Sequence, residues 1–235
     1  MIKSILLFAA LLAVSQLSIA QNADSIISKY MSAIGGREKI AQIKTIHIES
    51  AIDQGGLKIP IVLNGINQKA FKQEVTFGGM TGYDVTTDTA GWFFSPFNGM
   101  THPDSKTPDR MKIDILNLDL QGPLFNYREK GYEAKFIEKD DVDGVECLVV
   151  MLQMKNNMVK KYYFDPSTYY IIKESTKTEV DGQEQTNSVI FSNYKKTDFG
   201  IIMPLTEDSF GQINVIEKVI TNGPIDPSIF KRSTN

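Results

Sequence analysis

The chain has little of the material from which most metal and hydrolytic sites are built: its 235 residues include one cysteine, two histidines and one tryptophan. One cysteine excludes an internal disulfide and a thiolate-rich metal site. Two histidines leave little for a zinc centre or a histidine-dependent catalytic triad. Composition leaves open enzymes that use carboxylates, but no polar motif typical of catalysis is present. We therefore expect a non-catalytic protein without a cofactor or a metal.

The chain also lacks an excess of positive charge, with 25 Lys and Arg against 28 Asp and Glu. Proteins that bind nucleic acids usually need a basic patch that replaces the counterions of the phosphates. We therefore expect no nucleic-acid partner. Hydrophobic residues make up 42% of the chain, which is typical of a globular protein and too much for a disordered one.

One long apolar run is present, and it lies at the N-terminus. Lys3 precedes the run Ile5–Val14, and the segment ends with Ser18-Ile19-Ala20, whose small residues at positions −3 and −1 suit a signal peptidase. A transmembrane anchor would need about 20 apolar residues, and polar residues from Ser15 onward interrupt this run. Residues 1–20 are therefore predicted to be a signal peptide.

Cleavage before Gln21 would release residues 21–235, in which no linker, repeat or second hydrophobic run is present. We expect these residues to form a single domain that is soluble and periplasmic. No cysteine follows the apolar run, so no lipid anchor is expected at the new N-terminus, and no stable transmembrane anchor remains.

Three segments have helical patterns. Asp24–Ile34 carries an apolar stripe, with Asp24 as a possible N-cap and Gly35-Gly36 as a C-terminal stop. Arg37–Ile43 predicts a second short helix. Pro108–Leu120 is apolar nearly all round, which favours a helix that is buried on both sides.

From Lys44 onward, apolar and polar residues alternate with a period of two, and turn residues recur at short intervals. Pairs such as Asp143-Gly144 and Asp181-Gly182 supply the positive φ angles that tight hairpins require. Evenly spaced strands are typical of an antiparallel meander rather than of βαβ units. The sequence therefore predicts a mainly β (α+β) protein with about eleven antiparallel strands.

An antiparallel sheet of this size curls, because each strand pair adds about 20° of twist. Its interior exceeds what its own side chains fill, so we predict a half-open barrel with the helices as a plug or lid. The aromatic run Trp92–Phe97 is either a core strand leading into a turn or the lining of an apolar ligand site. We expect the site between the concave face and the Pro108–Leu120 helix. Its predicted lining residues are Ile61, Leu63, Phe71, Phe77, Trp92, Phe94, Leu116 and Leu120.

Features that suggest other chemistry are assigned structural roles. The segment Asp140–Gly144 is similar to a calcium loop, but it lacks the remaining oxygen positions and the closing Glu, so a hairpin turn is expected. His47 and His102 have no partners at metal-ligand spacing. Cys147 lies in a strand that is apolar on both faces, which predicts a buried thiol.

Six short segments carry a resemblance to known proteins, and each is a turn or a strand rather than a chemical signature. They are Tyr30–Gly36, Asp143–Cys147, Lys161–Pro166, Ser192–Tyr194, Gly200–Pro204 and Pro224–Asp226. Spread over nearly the whole chain after residue 20, they are similar to segments of exported proteins of Bacteroidetes type. Those proteins are described as outer-membrane lipoprotein-sorting or LolA-like.

Resemblance to the LolA, LolB and RseB superfamily implies a half-closed antiparallel barrel with helices as a lid, which holds acyl chains in the periplasm. It implies a lipid or an acylated lipoprotein as the partner. LolA-like proteins resemble one another in an arginine on an early strand that holds the lid shut. The comparable segment here, Lys69–Glu74, contains no arginine, so the resemblance does not extend to this feature.

Two functions follow from these observations. The first is a non-catalytic carrier for lipid or lipoprotein acyl chains. The alternative is an RseB-like lipid-sensing or protein-interaction module of the cell envelope, with an envelope protein as its partner. Lipid that co-purifies with the protein would favour the carrier, and a stable complex would favour the module.

The predicted cleavage site can be tested directly. We expect N-terminal sequencing of the exported protein to begin at Gln21, because small residues occupy the −3 and −1 positions before it. Recovery of an intact Met1, or of a lipid-modified terminus, would contradict this expectation.

Overall fold

The computed structural model describes residues 23–155, 157–180 and 183–232. The predicted signal peptide, residues 1–20, and its cleavage site before Gln21 lie outside these residues, so both stay predictions. None of the helices in the described part of the chain has the length and hydrophobicity needed to cross a bilayer.

The helical segments are short and the strands are many. Residues 23–33 form α1, Arg37–Ala41 forms α2, and Pro108–Asp114 forms α3, while single 3-10 turns span Pro96–Asn98, Ile115–Leu118 and Pro227–Phe230. The strands are β1 Thr45–Gln54, β2 Leu57–Ile66, β3 Ala70–Phe77, β4 Met80–Thr87, β5 Gly91–Phe94, β6 Asp104–Ser105, β7 Glu133–Val142, β8 Val145–Gln153, β9 Val159–Phe164, β10 Ile171–Val180, β11 Gln183–Lys196, β12 Ile202–Ser209 and β13 Gln212–Thr221.

All thirteen of these strands belong to one antiparallel sheet, in the order β6-β5-β4-β3-β2-β1-β13-β12-β11-β10-β9-β8-β7. Two meanders meet where β1 pairs with β13. The sheet is curled and unclosed, with β6 and β7 at its edges. The predicted class, a mainly β half-open barrel, is confirmed. The expected strand number was too low, because a strand as short as the two-residue β6 has no alternation to detect.

The hairpin turn between β7 and β8 forms at the Asp-Gly pair that the sequence predicts. Asp143 and Gly144 have φ angles of 51° and 84° and join β7 to β8 as a two-residue turn, which is the geometry that Asp-Gly pairs favour. The calcium-like segment Asp140–Gly144 is therefore a hairpin. Asp181-Gly182 lies outside the described residues, between the end of β10 and the start of β11.

Helix α1 ends at the predicted double glycine. Gly35 and Gly36 have φ angles of 125° and 93°, and their N–H groups donate to the carbonyls of Ser32 and Met31 at 3.3 and 2.9 Å. These two bonds form a Schellman motif. A Cβ on Gly35 would lie 3.0 Å from the carbonyl oxygen of Gly200. Glycine therefore also lets the helix end dock against the turn that precedes β12.

The capping role predicted for Asp24 is wrong. Ala23 is already helical, so Asp24 lies inside α1. Its carboxylate instead accepts a hydrogen bond from the Tyr127 hydroxyl and pairs with Arg128, whose Nη2 is 2.6 Å from Oδ2 of Asp24. The acid therefore ties α1 to the segment that leads into β7.

The main core lies between α1 and the sheet face that α1 covers, which we call the inner face. Ile26, Ile27 and Met31 of the predicted stripe are at most 3% exposed. The segment 121–132 and the strands β8 to β10 supply most of the opposing surface. The remaining buried members of this core are Ala23, Ile40, Ile43, Leu124, Phe125, Tyr127, Val150, Leu152, Met154, Met158, Tyr162, Phe164, Ile171 and Ile201.

The plug predicted at Pro108–Leu120 is corrected in two respects. The α-helix ends at Asp114, and a 3-10 turn continues it to Leu118. This segment is not buried on both sides, because Ile115 is 40% exposed and Leu118 is its one buried side chain. The segment lies across the inner face with one side toward solvent, so its apolar character does not imply full enclosure.

The opposite, outer face has its own smaller clusters. The C-terminal turn Pro227–Phe230 covers Ala70 and Val85 through the buried Phe230. Cys147 lies in another outer cluster and is 0% exposed. Burial raises the pKa of its thiol to about 11, so it is protonated and unreactive at neutral pH.

Truncation in the core tests the position of α1. We expect Ile27→Ala to lower the free energy of unfolding by about 2–5 kcal/mol, because it leaves a cavity beneath the helix. Ile213→Ala, at a side chain that is 44% exposed, should cost about 1 kcal/mol or less. Urea denaturation of both variants measures the difference, and equal costs would contradict the packing of α1 on the sheet.

Candidate ligand-binding site

A cavity of about 150 Å³ lies beneath the C-terminal half of α1. It is bounded by α1, by the segment 121–124 and by the inner face of β9 to β12, and we call it the α1 cavity. Most of its wall is apolar or aromatic. Its lining residues are Tyr30, Met31, Ile34, Gln121, Gly122, Pro123, Leu124, Tyr162, Ile171, Glu174, Phe191, Tyr194 and Pro204.

Three tyrosines give this cavity its polar character. Tyr194 donates its hydroxyl hydrogen to the carbonyl oxygen of Ile171 at 2.6 Å. Tyr162 is 2% exposed, and its hydroxyl has no hydrogen-bond partner among the described residues. Burial raises the pKa of Tyr30, Tyr162 and Tyr194 well above the usual range. All three therefore remain neutral hydroxyls at physiological pH.

Among the described residues, Glu174 is the one charged residue that lines the α1 cavity. Its Oε1 forms an ion pair with Lys160 Nζ and accepts a hydrogen bond from Thr176 Oγ1 at 3.1 Å. The side chains of Glu174 and Lys160 are only 21% and 17% exposed. The pair lies on the inner face because Glu174 is directly opposite Tyr162 in the β9–β10 register.

A larger and more open cavity of about 590 Å³ lies between α3 and the inner face of β3 to β5. Its wall mixes apolar and charged groups. Its lining residues are Gln73, Val75, Gly82, Tyr83, Asp84, Phe93, Phe94, Ser95, Phe97, Asn98, Met100, Arg110, Asp114 and Asn117.

An ion cluster of two acids and two bases attaches α3 to the sheet. The Lys106 side chain is 0% exposed, and its Nζ contacts Asp84 on β4, Thr86 Oγ1 at 2.7 Å and Asp114 Oδ2 at 2.6 Å. Arg110 Nη2 lies 2.7 Å from Asp84, and Nε lies 3.2 Å from Asp114. The Asp84 carboxylate on β4 thus contacts two cations, Arg110 on α3 and Lys106 just before it.

The predicted lining residues fall on both faces of the sheet, because directly paired residues share a face. Phe71 is paired with Gly65, and a Cβ on Gly65 would lie 2.8 Å from Leu120 Cδ2. Phe71 is therefore on the inner face, beneath the segment that follows α3. The register gives four predicted residues this face: Ile61, Leu63, Phe71 and Phe77.

Trp92 and Phe94 lie on the outer face. Trp92 pairs with Val85 and packs in the cluster around Phe230, while the Phe94 ring is 5.7 Å from the Tyr83 ring. The expectation that these two share a wall with the inner-face residues is therefore wrong. It assumed one common apolar face for separate strands, whereas β5 places only Phe93 on the inner face and both Trp92 and Phe94 on the outer face.

Leu116 and Leu120 pack against the main core, and none of the eight predicted residues lines the α1 cavity. Phe94 borders the open cavity at α3. A ligand-binding role for the eight residues stays a prediction. The apolar stripe predicted for the first helix includes Tyr30 and Ile34, which line the α1 cavity. Sequence reasoning missed Tyr162 and Glu174, because the strands that pack against α1 follow only from the order of strands in the sheet.

The ion cluster generates a prediction with a control on the same helix. We expect Asp84→Asn to lower the free energy of unfolding by about 1–3 kcal/mol, because it leaves the buried Lys106 with a weaker partner. Asp109→Asn removes an ion pair with Lys112 whose side chains are 59% and 60% exposed, and it should change stability by about 0.5 kcal/mol or less.

Hydrogen exchange of residues 106–118 measures the same effect locally. Asp84→Asn should accelerate exchange in this segment more than in α1, since it weakens the attachment of α3 alone. Equal exchange rates in the two variants would show that the cluster does not hold α3 to the sheet.

No family model matches the chain, and no curated protein is similar to it in sequence. Solved structures are similar in fold. An outer membrane lipoprotein-sorting protein domain from Vibrio parahaemolyticus has a TM-score of 0.55 and 10% sequence identity, covering 90% of this chain and 97% of that one. A LolA superfamily protein from Nitrosomonas europaea has a TM-score of 0.56 and 13% identity, covering 89% and 97%. The chain therefore has the fold of the LolA superfamily.

Proposed function

We propose that the protein is an exported, non-catalytic carrier that binds the apolar chain of a lipid or of an acylated lipoprotein in the periplasm. The observation that carries this proposal is the α1 cavity, an apolar space between a helix and the inner face of an unclosed sheet. The LolA-like fold supports it, because the structures similar in fold include a lipoprotein-sorting domain and a LolA superfamily protein.

The size of the α1 cavity suits reversible binding. A protein cavity of about 150 Å³ lined by apolar side chains can hold a benzene-sized group, which corresponds to the last few carbons of a chain. Burial of six methylene groups contributes about 5 kcal/mol, an affinity in the submillimolar range before the costs of association. Such a weak interaction suits a carrier, because a carrier must also release its ligand.

The rest of a longer chain would extend along the inner face, where the predicted lining residues of β2 and β3 lie. Phe77 is 42% exposed there, so apolar surface is accessible for contact. Leu116 and Leu120 would border this path from the segment above it. This extended path keeps Ile61, Leu63 and Phe71 as proposed ligand contacts.

A lipid-sensing or protein-interaction module is the second candidate. Exposed apolar side chains at hairpin ends favour it: Phe210 is 77% exposed and Leu57 is 54% exposed. Such residues mark protein or membrane contacts when they form a patch. An envelope protein that covers them would be the partner of this module.

Filling the α1 cavity tests the carrier proposal. We expect native mass spectrometry of the protein purified from its own periplasm to detect bound lipid, and Ile34→Trp to reduce the bound fraction at least tenfold by occupying the cavity. Val215→Trp introduces the same side chain on the outer face, at a position that is 40% exposed, and should leave the bound fraction unchanged.

Thermal denaturation of both variants controls for folding. Absence of lipid from the wild-type protein, together with no binding of added fatty-acyl probes, would contradict the carrier function. A stable protein complex recovered from the same preparation, and lost in Phe210→Ser, would then favour the interaction module.

A further inference from the structure

The α1 cavity contains polar atoms that a purely apolar chain would not use. Tyr162 is 2% exposed, lines the cavity, and has a hydroxyl without a partner among the described residues. A buried hydroxyl without a hydrogen bond is unfavourable and rare in folded proteins. A ligand atom that bonds to it would remove this penalty.

Glu174 supplies a second polar group in the same wall. Both of its side-chain contacts, with Lys160 and Thr176, are made by Oε1, and no described residue donates a hydrogen bond to Oε2. Lys160 itself is not among the lining residues. The cavity wall therefore holds a carboxylate, an acceptor, on the residue directly opposite Tyr162 in the β9–β10 register, while the lysine that neutralises it is not part of the wall.

We infer that the α1 cavity selects chains whose buried end carries an uncharged hydroxyl over the same chains ending in a carboxylate. The inference rests on the proposed function and specifies the ligand class of that site. An alcohol can donate its hydrogen to Glu174 and accept a hydrogen bond from Tyr162 with the same oxygen. One group thus satisfies both protein atoms.

A carboxylate end fits this wall poorly. It has no hydrogen to donate to Glu174, and it would place a second negative charge beside a partly buried carboxylate. Burial of an unpaired charge is far more costly than burial of a hydroxyl. Free fatty acids should therefore be disfavoured, and fatty alcohols or other hydroxyl-bearing lipids should be preferred.

Small probes matched in shape test the inference on the intact protein. Isothermal titration at pH 7 with benzyl alcohol, benzoate and toluene compares hydroxyl, carboxylate and hydrocarbon on one ring of suitable size. We expect benzyl alcohol to bind at least tenfold more tightly than benzoate. Toluene should bind more weakly than the alcohol, because it leaves Tyr162 and Glu174 without new partners.

Two variants assign the preference to named atoms. Tyr162→Phe should reduce the affinity for benzyl alcohol about tenfold and leave that for toluene unchanged. Glu174→Gln should raise the affinity for benzoate and so reduce the difference in affinity between benzyl alcohol and benzoate. Tyr163→Phe is the matched control, because this neighbouring tyrosine packs in the outer-face cluster with Cys147, and it should change none of the three affinities.

The outcomes separate the two proposals. Equal binding of benzyl alcohol and benzoate, or equal effects of Tyr162→Phe and Tyr163→Phe, would overturn the hydroxyl preference while the cavity still binds apolar ligands. Failure of all three probes and of longer acyl chains would overturn the carrier function as well. Thermal denaturation of each variant excludes unfolding as the cause of a lost signal.

Discussion

The contact between the apolar stripe of α1 and the inner face of the sheet is the interaction on which the rest of the structure depends. A curled sheet with free edges cannot bury this face by itself. Ile27 and Met31 cover strands β8 to β10, and their burial fixes the helix end against the turn before β12. The α1 cavity exists because this cover is incomplete toward β11 and β12.

The inner face is covered in two physically different ways. Beneath α1 the contact is apolar, whereas α3 is attached through Lys106, Arg110 and their two aspartates. Salt does not screen apolar contacts, but it does screen ion pairs, and the half-exposed pairs of Arg110 are screened more than those of the buried Lys106. The two halves of the cover can therefore respond differently to the same environment, and α3 is the half that can loosen first.

The sequence predicts local structure better than it predicts the site. Period-two alternation identifies the antiparallel class, and Gly35-Gly36 and Asp143-Gly144 mark real stops, because turn geometry depends on residues adjacent in the chain. The set of residues that line a cavity depends instead on pairing between strands that are distant in the sequence. Trp92 belongs to the outer face through its register with Val85, a relation that no local pattern records.

The free edge at β7 affects how the protein behaves at high protein concentration. Six of its ten residues are charged, and its register shifts between Phe136 and Glu138. Charged side chains and a bulge on an edge strand discourage another strand from pairing with it. An unclosed sheet can thus leave its inner face accessible and still resist the edge-to-edge polymerisation that a free strand edge otherwise favours at high protein concentration.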